Sequence, residues 1–335
     1  MDPLTHGVAS FALQRAFFPR AAWRSVVAIV GAGVIADVDW FTASLGPAQF
    51  LRWHRTGTHS VSFVLMIAIA AFLFSLRTKH VAGELWRGFS WVAVALAASL
   101  HLTLDIFQAD SIALFWPFSQ RRFALDLLAN LDPWLLVILV AAILLPELFR
   151  LVGEEIGAPN KSPRGRNGAI VGFALLALYI GYRAVVHGNA VAALEAHTIA
   201  GEMPRRAAAL PDSTSPLLWH GIVETESTVN LVTLRSAGGE VTDATGVTTL
   251  HKPEASPLLS AAQNSPVAVA FVKFARFPKA TVEKETEGYS VEIQDLKDQA
   301  TEEKGRAIFA DITLNQNQQV VSSELQWQNP SRPPK

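Results

Sequence analysis

Five apolar runs of near-membrane length occupy the first half of this chain: Ser25 to Leu45, Val61 to Leu76, Phe89 to Phe107, Pro133 to Leu151 and Gly168 to His187. A helix needs roughly 20 mostly apolar residues to cross the hydrocarbon core of a bilayer. Inside lipid, every backbone N–H and C=O must be satisfied within the segment or in a closed barrel. Runs of this length therefore predict membrane helices. A sixth, Leu4 to Phe18, is shorter and interrupted by Gln14 and Arg15; a short span, a re-entrant helix and an interfacial helix all fit it.

Past Asn189 the pattern changes. Gly221 to Arg235, Val267 to Phe277, Tyr289 to Leu296 and Ala307 to Leu314 are rich in β-branched residues, partly alternating, and bounded by Pro and Gly, the pattern of strands. The expected fold is mainly α: a polytopic transmembrane helical bundle with a C-terminal β-rich soluble domain. The bundle is placed at residues 1–188 with five to six helices. A linker follows at 189–214, with a helical connector over Asn189 to Ala209, then the β-rich domain at 215–330. The polar, Pro-rich tail Gln326 to Lys335 is expected to be disordered.

A formal net charge of -1 gives no footing for nucleic acid binding. With no cysteine in the chain, disulfides, thiolate ligands and a cysteine nucleophile are excluded, and any metal must be held by nitrogen and oxygen. The start, Met1-Asp2-Pro3-Leu4-Thr5-His6, lacks the basic region, apolar core and small-residue cleavage site of a signal peptide. Insertion is expected to rely on the helices themselves.

Basic residues favour the cytoplasmic side of short loops. Arg15, Arg20 and Arg24, then Arg77, Lys79 and Arg87, then Arg150, Lys161, Arg164 and Arg166 form three groups compatible with alternating spans. Only Arg52, Arg55, Arg121 and Arg122 fall in the opposite short loops. If Leu4 to Phe18 also crosses, His6, Asp37, Asp39, His54, His59, His101 and Asp105 all lie on the non-cytoplasmic side, as does the β-rich domain. Ionisable groups at membrane depth are costly and mark functional sites by default, and mixed imidazole and carboxylate donors suit a metal.

Spacing grades these residues. His101 and Asp105 are four apart, so on a helix they share a face and either share a metal or tie helices together. Asp37 and Asp39 point to different sides of a continuous helix, and both reach one site only if the helix ends or distorts there. The run His54-Arg55-Thr56-Gly57-Thr58-His59-Ser60 suits a loop turning at Gly57, with Ser60 or Thr58 capping the next helix. Arg55 beside the histidines fits an anionic oxygen. Arg121 and Arg122 fit either lipid headgroups or a substrate anion, and Asp132-Pro133 reads as a helix start. His80, His187, His197, His220 and His251 have no such companions and read as loop, helix-end or surface histidines.

Taken together, Asp2-Pro3-Leu4-Thr5-His6-Gly7, Ala36-Asp37-Val38-Asp39, His54-Arg55 with Thr58-His59-Ser60, His101 with Asp105, and Pro117-Phe118-Ser119-Gln120-Arg121-Arg122-Phe123-Ala124-Leu125-Asp126 followed by Asp132-Pro133 resemble a bacterial family of membrane-bound metal-dependent hydrolases. That family includes inner-membrane proteins described as LexA-binding. The resemblance covers residues 1–150, and Ser215 to Trp219 and Phe274 to Pro278 look like the extracytoplasmic part of longer members. Thr56 stands where many members have Gly, and Gln108-Ala109-Asp110 where many have a Tyr-Gly-Thr turn, which affects the mouth of the site. The order of His, Asp, His and His-x-x-x-Asp is also similar to zinc-dependent phospholipase C and single-strand nucleases, an analogy of pattern.

The resemblance implies a multi-pass protein of the bacterial inner membrane with a hydrolytic metal centre. The expected ligands are His6, Asp37, Asp39, His59, His101 and Asp105 around a divalent ion, with zinc favoured. His54 and Arg55 are the expected catalytic residues. Arg121 and Arg122 are expected to bind a lipid or phosphoester substrate drawn from the bilayer, with no nucleic acid partner. The alternative is a non-catalytic membrane protein that binds a metal or recruits a partner.

Overall fold

The structure, a computed structural model, describes residues 1–78, 90–155, 165–196, 198, 201–237, 240–301 and 307–327. Lys79, His80, Arg87, Lys161, Arg164, His197 and the tail from 328 onward lie outside the described residues. The chain divides into two units, one of Met1–Phe41 with Trp53–Val185 and the other of Thr42–Arg52 with Val186–Lys335.

The first unit is helical. It contains α1 (Pro3–Phe17), α2 (Trp23–Val34) running into a 3-10 helix (Ile35–Leu45), the end of α3 (Pro47–Trp53), α4 (Val61–Thr78), α5 (Ser90–Ile106), α6 (Pro133–Glu155) and most of α7 (Arg166–Ala196). Trp23–Leu45, Pro133–Val152 and Arg166–Ala196 are long and apolar enough to cross a membrane. Val61–Leu76 and Trp91–Ile106 are apolar but shorter. Helix starts follow local chemistry. The Asp2 carboxylate accepts from Thr5 N at 2.9 Å with Pro3 opening α1; Ser60 Oγ accepts from Phe63 N at 3.2 Å at the head of α4. Asp132 Oδ1 accepts from Trp134 N and Leu135 N at 3.1 and 3.0 Å ahead of α6, the capping role its Pro133 neighbour predicts.

Helix α1 is no surface-lying amphipath. Thr5, His6, Ala9, Ser10, Ala12, Leu13, Gln14 and Ala16 are buried, and it packs against α2, α5 and α6. Small residues permit this. An added Cβ on Gly33 of α2 would overlap Ser10 Oγ and sit 2.7 Å from Ser10 Cβ, so the two backbones approach as closely as small-residue membrane interfaces allow. Gly168 plays the same part for α7, where a Cβ would lie 2.5 Å from the Ala142 carbonyl and overlap Pro146 of α6. Leu104, Leu128, Leu135, Leu139 and Leu176 fill the core between these helices.

The second unit holds two four-stranded antiparallel meanders. The first is β1 (Arg206–Pro211), β2 (Leu218–Glu224), β3 (Thr228–Ala237) and β4 (Glu240–His251). Trp219, Val223, Val232 and Leu234 pack against Val186, Ala190 and Leu194 from the last turns of α7. The stretch expected as a linker, 189–214, thus contains the end of α7 and the whole of β1, because Ala207 to Leu210 is apolar enough to be buried as a strand paired with β2.

The second meander is β5 (Pro278–Glu285), β6 (Gly288–Asp295), β7 (Ile308–Asn315) and β8 (Val320–Trp327), with α8 (Pro257–Gln263) and α9 (Pro266–Phe274) before it and α10 (Leu296–Ala300) within it. Along β7, Ile308, Ala310, Ile312 and Leu314 face the core at the period of two that strands require. Val267 to Phe277 was expected to be a strand, and residues 266–274 form α9 instead. Ser265 Oγ accepts from Ala268 N at 3.2 Å and Pro266 occupies the first turn, so capping overrides the β propensity of Val267, Val269 and Val272. Ala43, Phe50 and Leu51, from the segment between Asp39 and His54, also belong to this core, with the Phe50 and Trp327 ring centroids 5.3 Å apart.

Candidate metal centre

Four pieces of the first unit bring polar side chains to one buried point. His6 comes from the first turns of α1, and Asp37 and Asp39 from the 3-10 helix that continues α2. His54, Arg55 and His59 come from the loop before α4; His101 and Asp105 from the last turns of α5. The 3-10 helix is the distortion that the Asp37 and Asp39 spacing demanded. With three residues per turn, the two carboxylates reach adjoining parts of one site.

Asp105 is central and has no exposed surface. Its Oδ1 lies 2.6 Å from the Met1 nitrogen and 3.3 Å from His6 Nε2; its Oδ2 lies 3.1 Å from His59 Nε2 and 3.2 Å from His101 Nε2. Asp37 Oδ1 stands 3.8 Å from both His59 Nε2 and His101 Nε2. The His6 and His101 rings stack with centroids 3.7 Å apart. Two groups have ligand atoms close enough to hold an ion, His6 with Asp37 and His101, and His59 with His101 and Asp105, so His101 is common to both.

These atoms are near one another yet badly aligned for mutual hydrogen bonds. His6 Nδ1 and Nε2, Asp37 Oδ2, His101 Nε2 and Asp105 Oδ2 are buried without a hydrogen-bond partner. Buried polar atoms are paired in the great majority of cases, so this set of unsatisfied nitrogen and oxygen atoms fits the donors that a divalent cation takes.

The other predicted residues surround this group. Asp39 belongs to neither set. Its Oδ1 is 3.1 Å from His54 Nδ1, and its Oδ2 accepts from Arg55 N at 2.8 Å and Thr58 Oγ1 at 3.0 Å and lies 3.0 Å from His59 Nδ1. A carboxylate so engaged is placed to orient the imidazoles it contacts. Burial lowers the pKa of His54 against the opposing pull of Asp39. Burial lowers that of His59 too, but the neighbouring carboxylates of Asp105, Asp37 and Asp39 raise it to about 10. The His59 ring therefore sits where the surrounding carboxylates favour positive charge.

Arg55 has a φ of +54°, a region sparsely populated by non-glycine residues. Its surroundings hold it there. Arg55 N donates to Asp39, Nη1 to the Asp110 carbonyl at 3.0 Å and Nη2 to Gln108 Oε1 at 2.7 Å, while Nε is buried without a partner. Arg122 donates to the Ser111 side chain and carbonyl at 3.1 and 2.7 Å; burial and the neighbouring Arg55 charge lower its pKa to about 10. Arg121 is exposed and lies over the Phe123 ring at 5.3 Å.

Gln108, read from the sequence only as a departure at the mouth of the site, lies inside it. Fully buried, it accepts from the Met1 nitrogen at 2.8 Å as well as from Arg55. Its position one helical turn beyond Asp105 was the available signal. Arg183 was missed: buried in α7, it donates to the Leu127 carbonyl at 2.8 Å, beside Tyr179, whose hydroxyl donates to Asp132 at 3.0 Å. This second polar cluster ties α7 to the head of α6.

A family model described as YdjM inner membrane protein matches residues 1–190, a stretch that includes every residue of the centre. An uncharacterized protein of Bacillus subtilis (strain 168), YfhP, is 30% identical over 127 residues, which is 37% of this chain and 37% of that protein. No solved structure matches the chain.

Proposed function

The chain belongs to the YdjM inner membrane protein family, and from its buried His/Asp cluster we propose that it is a membrane-embedded metal-dependent hydrolase acting on an ester or phosphoester at the membrane surface. The observation that carries this reading is the set of orphaned donors on His6, Asp37, His101 and Asp105. His6, Asp37, His59, His101 and Asp105 would hold the ion or ions, with zinc the favoured identity for a nitrogen and oxygen set. When bound, such an ion supplies a Lewis acid and brings the pKa of a coordinated water from about 16 to roughly 7.

The chain's own residues divide the remaining work. Asp39 holds His54 and His59 in fixed orientations through contacts of 3.1 and 3.0 Å. His54, with its ring anchored to Asp39 through Nδ1, is assigned the uptake and release of a proton. The unpartnered Nε of Arg55 is a donor for an anionic oxygen. Arg121 and Arg122 supply further positive charge for the substrate. We place the centre and the β-rich unit on the extracytoplasmic side of the inner membrane.

A second reading, a non-catalytic metal-binding protein, is favoured by one feature: none of the proposed ligands is more than 7% exposed, and closed sites are the mark of structural metals. Elemental analysis of the purified protein, followed by a phosphodiester and phospholipid hydrolysis screen with and without chelator, separates the two. Chelator-sensitive hydrolysis supports the hydrolase. Stoichiometric metal without hydrolysis of any substrate supports the closed site.

A further inference from the structure

Helix α4 begins two residues after His59, and a groove of about 510 Å³ runs along it, lined by Ser62, Leu65, Met66, Ile69 and Leu73 on one helical face and by Phe118 opposite. Its upper end is tied to the loop that carries His54 and His59. Val61 N donates to the Leu114 carbonyl at 2.9 Å, Ser62 Oγ donates to the Trp116 carbonyl at 2.8 Å, and a Cβ on Gly57 would lie 3.6 Å from the Trp116 ring. Phe118 is 89% exposed, an aromatic wall with little packing of its own.

Length and charge define an occupant. From Ser62 to Leu73 the helix rises about 16 Å at 1.5 Å per residue, and one leaflet contributes about 15 Å of hydrocarbon. The loop forming the far wall carries Arg121 and Arg122 and no acidic residue between Asp110 and Asp126. An open apolar strip about one leaflet long, walled by Phe118 from a loop that also carries two arginines, matches a hydrocarbon chain below an anionic headgroup.

Resting on the hydrolase reading, we propose that the α4 groove binds the acyl or prenyl chain of an anionic lipid and so presents that lipid's ester to the metal centre. The full-length protein in phosphatidylcholine nanodiscs doped with a diazirine-acyl phosphatidylglycerol tests this directly. Crosslinks should concentrate several-fold on Leu65 to Leu73 relative to Val137, Leu144 and Leu178, which are as exposed or nearly so. Ile69→Trp should fill the groove and abolish that excess, whereas Val137→Trp should leave it intact. Labelling in proportion to exposure on all helices would overturn the proposal whether or not the protein hydrolyses anything. Hydrolysis is read separately: Ile69→Trp should slow cleavage of a dioleoyl substrate while sparing a dihexanoyl one. Loss on neither substrate overturns the proposal, and absence of hydrolysis in the parent protein removes only the catalytic reading, leaving the crosslinking result to decide the groove.

Discussion

His101 donates its Nδ1–H to the carbonyl of Gly33 at 2.8 Å. A carbonyl oxygen can only accept, so this contact assigns the proton to Nδ1 and leaves Nε2 as the lone pair facing Asp105 and Asp37. The same Gly33 is where α2 touches Ser10 of α1, the helix that also carries His6. One glycine therefore sets both the tautomer of one proposed ligand and the closeness of the helix bearing another.

Gly33→Ala tests that double role. The new Cβ would overlap Ser10 Oγ, and overpacking of this kind costs about 1–3 kcal/mol. A lower melting temperature and reduced metal content are expected together. Ser10→Gly in the same chain removes the clashing atoms and should restore both. If the double variant melts like the parent but still lacks metal, the Gly33 contact is not what orients His101.

Asp105→Asn and Asp39→Asn should differ in kind. Both are nearly isosteric, but Asp105 faces three imidazoles and the Met1 nitrogen, whereas Asp39 orients His54 and His59 from behind. Outer carboxylates of this type change metal affinity by about 10–100-fold. Asp39→Asn is expected to fall in that range by competition titration, and Asp105→Asn to lose metal altogether. Equal losses would make Asp39 a ligand like the rest.

Legibility in the sequence followed the range of the interactions. His101 with Asp105 was readable because helical periodicity is local, and Ser60 and Asp132 because capping is decided within three residues. The meeting of Asp37 and Asp39 depended on a 3-10 continuation that spacing could require but not establish. The buried contacts of Gln108 and Arg183 escaped because their partners, the Met1 nitrogen and the Leu127 carbonyl, are remote in sequence or belong to the backbone. Residues 266–274 were misread because β-branched composition was weighed above the Ser265-Pro266 start. The inclusion of Ala43, Phe50 and Leu51 in the core of the second unit carried no local signal at all.

That inclusion can be measured. Phe50 is buried against Trp327 and the second meander, and removal of a core phenylalanine costs about 3–5 kcal/mol. Phe50→Ala should raise amide hydrogen exchange across β6 and β7, while Leu51→Met, a volume-conserving change costing less than about 1.5 kcal/mol, should leave it nearly unchanged. Parental protection of β7 in Phe50→Ala would show that this segment only decorates the meander.

Orientation in the membrane is testable because the chain has no cysteine, so each introduced thiol reports alone. Helix α1 runs from His6 at the candidate metal centre to Arg15, which lies 3.7 Å from Glu147 in the second half of α6. Because α6 starts at Pro133 next to the Tyr179 and Arg183 cluster, the centre and Arg15 sit at different depths along the bundle. The positive-inside rule applied to Arg15, Arg20 and Arg24 predicts a cytoplasmic Arg15 end. In intact cells, Arg20→Cys should therefore resist a membrane-impermeant maleimide until the membrane is opened, and Glu254→Cys, exposed in the second unit, should react at once. The reverse pattern would turn the centre toward the cytoplasm and, with it, the leaflet from which the α4 groove could draw a lipid.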